Sequence, residues 1–189
     1  MANILTPKFR VSYPNVFRAK KNDLSGKDEF SVVALFPKGS DLRALQAAAK
    51  EVTVEKWGAD PKKWPKNLRS PFRKHEEKMT ETDDGKQVYP SGMEEGGIFM
   101  NLKSSQKPGV VDATVQDIIE ESEFYAGCYA RATVRAYAYE MKGNSGVSFG
   151  LQNIQKVAEG DPLGSRTKAQ SDFSAIESGD GDSADNLFG

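Results

Sequence analysis

The sequence is poor in the side chains that staple or metallate a fold. Its 189 residues include one cysteine and one histidine. That excludes a disulfide framework within the chain and leaves too few soft ligands for a structural zinc. No apolar run approaches the roughly 18 residues of a membrane span, so no membrane partner is expected. The opening residues Met1 to Lys8 lack the charged-then-apolar order of a secretory signal. The expected setting is a reducing cytoplasm. Neither a metal nor an organic cofactor is expected.

An excess of one charge is also missing, with 26 Lys+Arg against 27 Asp+Glu. The balance is uneven along the chain, however. Residues 1–75 hold 16 basic and 7 acidic side chains, residues 76–170 hold 10 and 15, and residues 171–189 hold none and 5. The last stretch contains Asp172, Glu177, Asp180, Asp182 and Asp185 among Ser and Gly, and it ends Leu187-Phe188-Gly189. Too little apolar surface is present there to offset the entropy of ordering. Residues 165–189 are therefore expected to be a disordered acidic tail on a domain of residues 1–164. Asp180, Asp182, Asp185, Leu187 and Phe188 are its candidate partner-docking residues.

Within the domain, Phe9, Val11 and Tyr13 alternate with Lys8, Arg10 and Ser12, which predicts a strand bent or bulged at Pro14-Asn15. Residues 29–36 are a second strand, with its turn at Leu24–Lys27. Ser40 is expected to cap a helix of about 17 residues bearing a Leu42, Leu45, Ala49 and Val52 stripe, ended by Gly58. Residues 59–95 have few apolar positions and suggest a loop or a ligand-facing arm. Within them Arg69, Arg73 and Lys74 are a candidate basic arm. Ile98, Met100 and Leu102 alternate with Phe99, Asn101 and Lys103 in a third strand. Residues 113–126 form a short helical or extended connection. Residues 127–140 and 146–157 complete the count as two strands joined at Lys142–Gly146. The fold class is mainly β: a five-stranded Greek-key barrel with one inserted helix fits this count.

The segment Cys128 to Tyr139 carries the functional argument. Its even positions, Cys128, Ala130, Ala132, Val134, Ala136 and Ala138, are small and apolar. Its odd positions are Tyr129, Arg131, Thr133, Arg135, Tyr137 and Tyr139. In a strand the two sets lie on opposite faces. One suits a tight core; the other offers rings for bases and cations for phosphates, which is what a single nucleic-acid strand needs. Phe99 and Lys103 can extend that face from the neighbouring strand, and Lys8 and Arg10 from the first. The bland alternative is an ordinary half-buried surface with its arginines paired to nearby acids. The acidic tail can compete with DNA for such a groove and hand its Leu-Phe tip to a partner once displaced.

Several segments resemble a family of bacteriophage single-stranded-DNA-binding proteins: Tyr13–Phe17, Phe30–Lys38, Lys107–Asp112, Glu123–Arg131, Gly150–Lys156 and Gly160–Gly164. They span most of residues 9–164 in the family's order. The resemblance implies an OB-fold that binds single-stranded DNA in phage replication or recombination without catalysis. It also implies a tail that recruits polymerase, helicase or primase, although Phe188 is here the penultimate residue. Which side chains touch DNA is not implied by the resemblance; Lys8, Arg10, Phe99, Lys103, Arg131, Arg135, Tyr137 and Tyr139 rest on the strand alternation.

Other signals are weaker. His75-Glu76-Glu77 lacks the second histidine of a metalloprotease helix. Asp83-Asp84 and Glu94-Glu95 could serve a Mg²⁺-dependent nuclease, but adjacent loop acids are usually solvated. Cys128 falls at an inward position and fits a structural thiol. Trp57 is expected to pack the helix end onto the barrel, and Trp64 is left open. The remaining rivals are a strand-annealing or recombination mediator that also binds duplex DNA, and a protein-binding module that uses the Tyr-Arg face.

Overall fold

A computed structural model describes residues 2–164 and 173–175. The docking positions Asp180, Asp182, Asp185, Leu187 and Phe188 lie outside the described residues. The strands are β1 (Ile4–Leu5), β2 (Phe9–Lys21), β3 (Asp28–Phe36), β4 (Arg73–Lys74), β5 (Thr80–Glu81), β6 (Gln87–Val88), β7 (Ile98–Ser104), β8 (Gly109–Val111), β9 (Tyr129–Met141) and β10 (Asn144–Ala158), with the helix α1 at Arg43–Trp57.

Five of these strands close a ring. β2 pairs antiparallel with β3, β3 antiparallel with β7, β7 parallel with β10, β10 antiparallel with β9, and β9 antiparallel with β2. Ring closure removes the free edges of the sheet. Its interior is filled by Phe9, Val11, Val32, Ala34, Phe36, Met100, Leu102, Phe149 and the β9 residues Ala130, Ala132, Val134 and Ala136, all buried. Small side chains along β9 leave room for Phe9 and Phe36, which meet edge to face at 5.6 Å.

β2 stays in register with β3 to Ser12 and then shifts at Pro14. A bulge adds one residue and inverts the alternation. Tyr13 therefore does not face inward as the alternation predicts. It is 76% exposed, with φ of 43°, while Ser12 is buried. Beyond the shift the β2–β3 hairpin continues to Lys21 and Asp28, turning through Asn22–Lys27.

α1 is 15 residues long and starts at Arg43. Ser40 does not cap it. The Ser40 hydroxyl donates to the Pro37 carbonyl, and Asp41 Oδ1 instead accepts from the Arg43 N–H. Gly58, with φ of 91°, ends the helix as expected. Leu45, Ala48, Ala49 and Val52 bury one face of α1 against β9 and β10. Trp57 packs on the core from the helix end, its indole N–H 3.4 Å from Glu140 Oε2. Trp64 donates to the Gly58 carbonyl at 2.8 Å and so braces the exit of the helix.

β9 and β10 are joined by Lys142-Gly143, both at positive φ. This is the pairing that a two-residue primed turn requires, and it makes the turn shorter than the sequence suggests. The connection at residues 113–126 holds a short 3-10 turn at Glu121–Glu123 and no longer helix.

Candidate nucleic-acid interface

The outward face of β9 is set by its alternation. Arg131, Arg135 and Tyr137 are exposed and Tyr129, Thr133 and Tyr139 half-buried, while every even position from Ala130 to Ala136 is buried. From Arg131 to Tyr139 this strip is about 27 Å long at the usual strand rise. Tyr137 and Tyr139 stand side by side, ring centroids 6.5 Å apart and planes tilted by 52°.

The partner strand explains how the rings are displayed. Opposite Tyr139, Tyr137 and Arg135 stand Gly146, Ser148 and Gly150. These small residues leave the aromatic side chains room to lie over the sheet. A Cβ on Gly146 would come within 2.6 Å of the Tyr139 hydroxyl and 3.0 Å of Arg69 Cβ. The alternation Gly146-Val147-Ser148-Phe149-Gly150 was the available signal for these positions, and inspection of the tyrosine strand alone misses them.

The other edge of β10 is shared by three segments. Arg69 bridges it at Gly146, β7 pairs at Phe149 and Gly150, and β8 pairs at Asn153–Gln155. Arg69 thus stands beside Tyr139, its guanidinium donating to Asn144 Oδ1 at 3.0 Å. Lys103 lies next to Gly150. A bulge after Leu151 leaves Gln152 exposed beside it. Lys103, Tyr137, Gly150 and Gln152 rim a shallow depression of ≈ 270 Å³ together with Glu29 and Ser105.

The cations are not equivalent. Arg135 has no ion-pair partner among the described residues. Arg131 donates to Gln155 Oε1 at 2.8 Å, and Gln155 is itself held by the Asp112 carbonyl. Lys103 Nζ lies 3.8 Å from Glu29 Oε2. Lys8 and Arg10 gather around the Tyr129 ring at 5.3 and 5.8 Å. Arg10 also donates to the carbonyls of Gly127 and Asp161, so part of its role is to lock the start of β9 to the end of the barrel.

One expected contact surface is absent. Phe99 lies on the outward parity of β7, yet it is 2% exposed. The arm of residues 59–97 folds back over this part of the sheet. β4 pairs with β7 at Phe99 and Ile98, and His75 stacks on the Phe99 ring at 6.4 Å. The Arg73 guanidinium lies 5.0 Å from the ring centroid and is paired to Glu77 at 2.9 Å. Phe99 therefore has no ring face available for a base, and Arg73 belongs to the cover. Lys74 is exposed on the same strand. The candidate basic arm divides: Arg69 borders the open tyrosines, Arg73 the covered phenylalanine.

The arm is pinned by Glu76, whose Oε1 accepts from the Gly96 N–H at 2.8 Å and from the Tyr89 hydroxyl at 3.3 Å. The Gly96 bond, with the Tyr89 bond behind it, holds the Glu76 carboxyl below its ordinary value. Burial pushes the Cys128 thiol up, as suits a structural thiol. Among the described residues no three His, Cys, Asp or Glu side chains are grouped so as to hold a metal ion.

The sequence profile of the ssDNA-binding protein of Enterobacter phage Enc34 matches residues 2–186. The chain belongs to that family. Protein p50 of Acyrthosiphon pisum secondary endosymbiont phage 1 is 26% identical over 155 residues, covering 80% of this chain and 81% of p50. The fold resembles the single-stranded DNA-binding protein from bacteriophage Enc34, with TM-score 0.64 and 18% identity over 90% of this chain and 88% of that one. The same phage protein in complex with ssDNA gives TM-score 0.64 at 17% identity, over 86% of this chain and 89% of that one. The fold is also similar to gp2.5, a single-stranded DNA binding protein encoded by bacteriophage T7, with TM-score 0.57 and 12% identity over 89% of this chain and 98% of that one. Membership of the Enc34 family agrees with the resemblance visible in the sequence segments.

Proposed function

We propose that this chain binds single-stranded DNA along the open outer face of β9 and β10, as a sequence-tolerant coat during phage replication or recombination in the host-cell cytoplasm. The observation that carries the reading is the row of exposed Tyr137, Arg135 and Arg131 with half-buried Tyr139, laid against Gly146, Ser148 and Gly150. Bases stack on Tyr137 and Tyr139, and phosphates meet Arg131, Arg135, Lys103 and Arg69, with Lys8 and Arg10 at the far end. The ring order β2-β3-β7-β10-β9, with its single parallel pair, supports an OB-fold. Family membership and the solved Enc34 complex with ssDNA support the ligand.

In this reading residues 1–164 are the binding domain. Residues 165–189 are an acidic tail that competes with DNA for the basic face and recruits a polymerase, helicase or primase. No catalytic step is assigned to the protein.

The test is a titration of fluorescent oligo-dT with the full chain and with a version ending at Gly164, at about 50 and 200 mM salt. Neutralising roughly five phosphates at a slope near −0.7 each predicts about a hundredfold loss of affinity across that range. Removing the tail should tighten binding. Absence of binding by either form at low salt would overturn the reading. Equal affinity for duplex DNA would favour an annealing mediator.

A further inference from the structure

The depression between β7, β10 and the turn end of the β2–β3 hairpin contains a feature that a purely electrostatic groove does not need. Glu29, a carboxylate, sits at its edge beside Tyr137 and Lys103. An acid in a polyanion-binding groove weakens phosphate binding. It is also held in place. Asn22 Nδ2 donates to Glu29 Oε2 at 2.8 Å, and Lys103 Nζ approaches the same oxygen at 3.8 Å. Among the described residues no hydrogen bond reaches Glu29 Oε1. The Glu29 and Lys103 side chains remain 24% and 39% exposed, so both can be reached from the groove.

We infer that this depression reads one base of the bound strand and favours guanine. The inference rests on the proposed binding of single-stranded DNA to the Tyr137 face. Guanine presents two adjacent donors, N1–H and the 2-amino group, with the O6 acceptor next to them. A carboxylate accepts from the two donors, and an ammonium donates to O6. Glu29 and Lys103 supply that pair in one site, while Tyr137 on the same rim supplies the stacking surface. Thymine offers a single N3–H between two carbonyls, which sets a carbonyl oxygen against the carboxylate. Adenine and cytosine each place a ring acceptor beside their one amino group. Gln152, exposed by the β10 bulge, lines the same depression. The protein then tolerates any sequence along its length but seats a guanine best at one position.

The experiment compares an oligo-dT of about 12 nucleotides with versions carrying one central dG, deoxyinosine, dA or dC. Binding that tolerates every register lets a single dG find the depression, and one guanine per strand avoids quadruplex formation. The dG version should bind about fivefold more tightly than oligo-dT, at the low end for bidentate base contacts because the site is open to water. Deoxyinosine, which lacks the 2-amino group, should lose most of that gain without any change in the protein. Glu29→Gln should bring the dG-to-dT affinity ratio to near one; the ratio is the readout, since removing a negative charge shifts all affinities together. Equal affinities for all versions, with oligo-dT still tight and salt-sensitive, would overturn the inference and leave the binding face standing. A dG preference that survives Glu29→Gln would overturn it as well. No binding of any oligonucleotide would remove both.

Discussion

Leu35 and Phe99, at one end of the outer sheet face, are each 2% exposed, whereas Tyr137, at the other end, is 43% exposed. Both ends follow the same alternation and both carry an aromatic ring flanked by arginine. At the β3–β7 end the arm of residues 59–97 lays His75 and Arg73 over Phe99 and brings Gly92 against Leu35, with Leu163 against the same glycine. At the β9–β10 end Arg69 touches the edge of β10, and Tyr137 stays open with Tyr139 half-buried beside it. Alternation assigns a residue to a face. A second segment, distant in sequence, decides whether that face meets solvent or a cover.

Substitutions on each side, and a change of pH, separate the halves. Phe99→Ala should cost about 3–5 kcal/mol of unfolding free energy in a denaturant titration, as for a buried phenylalanine. At low temperature, where the variant remains folded, its affinity for oligo-dT should match the parent; a specific loss of affinity would mean that the cover opens and the ring does meet DNA. Tyr137→Ala should do the reverse. Its affinity for oligo-dT should fall by about 1–3 kcal/mol, the range for one stacked base, with stability changed by no more than about 0.5 kcal/mol.

Arginine substitutions sharpen the contrast more finely. Arg135→Ala should lower the salt slope of binding by about 0.7, one phosphate contact. Arg73→Ala, which lies over Phe99 and pairs with Glu77, should leave the slope unchanged. The smallest effect is on the cover itself. Because the Glu76 carboxyl is held below its ordinary value of 4.5, its contribution is fully present above that value and is lost as pH falls through the depressed one. Amide exchange at Gly96 should therefore speed up on acidification after correction for intrinsic rates, and Glu76→Gln should remove that dependence.

Much of the barrel was legible because its strands follow a period of two with little interruption. β7 and β9 needed only that pattern, β3 was legible from its β-branched apolar run, and the Pro14-Asn15 bulge announced itself through proline. Its consequence for Tyr13 was not legible, since the residue at which a bulge inverts the alternation depends on the pairing with β3. The helix was legible from its apolar stripe, but its first turn was not: Asp41, rather than Ser40, holds the Arg43 amide. The arm could not be read because its few apolar groups, Phe72 among them, make sense only against the sheet they cover. That same gap put Phe99 on the wrong side of the exposed–buried divide. Glu29 went unnoticed because its meaning comes from Lys103 and Tyr137, which lie on other strands.

The closed ring also sets a timetable for folding. β2 meets β9 only through pairs far apart in sequence, Phe9 with Ala130 and Arg10 with Tyr129; just ahead of β2, Thr6 Oγ1 accepts from the Ala132 N–H across 126 positions. Until β9 and β10 exist, β2, β3 and β7 can form only an open meander with a bare edge on each side, the kind of edge that recruits neighbouring chains. Closure of the barrel is thus expected to be a late and comparatively slow event. Chains ending before Tyr129 should remain protease-sensitive, while chains extending through Ala158 should resist. Finishing each chain before unfinished copies are crowded together therefore limits edge-to-edge association.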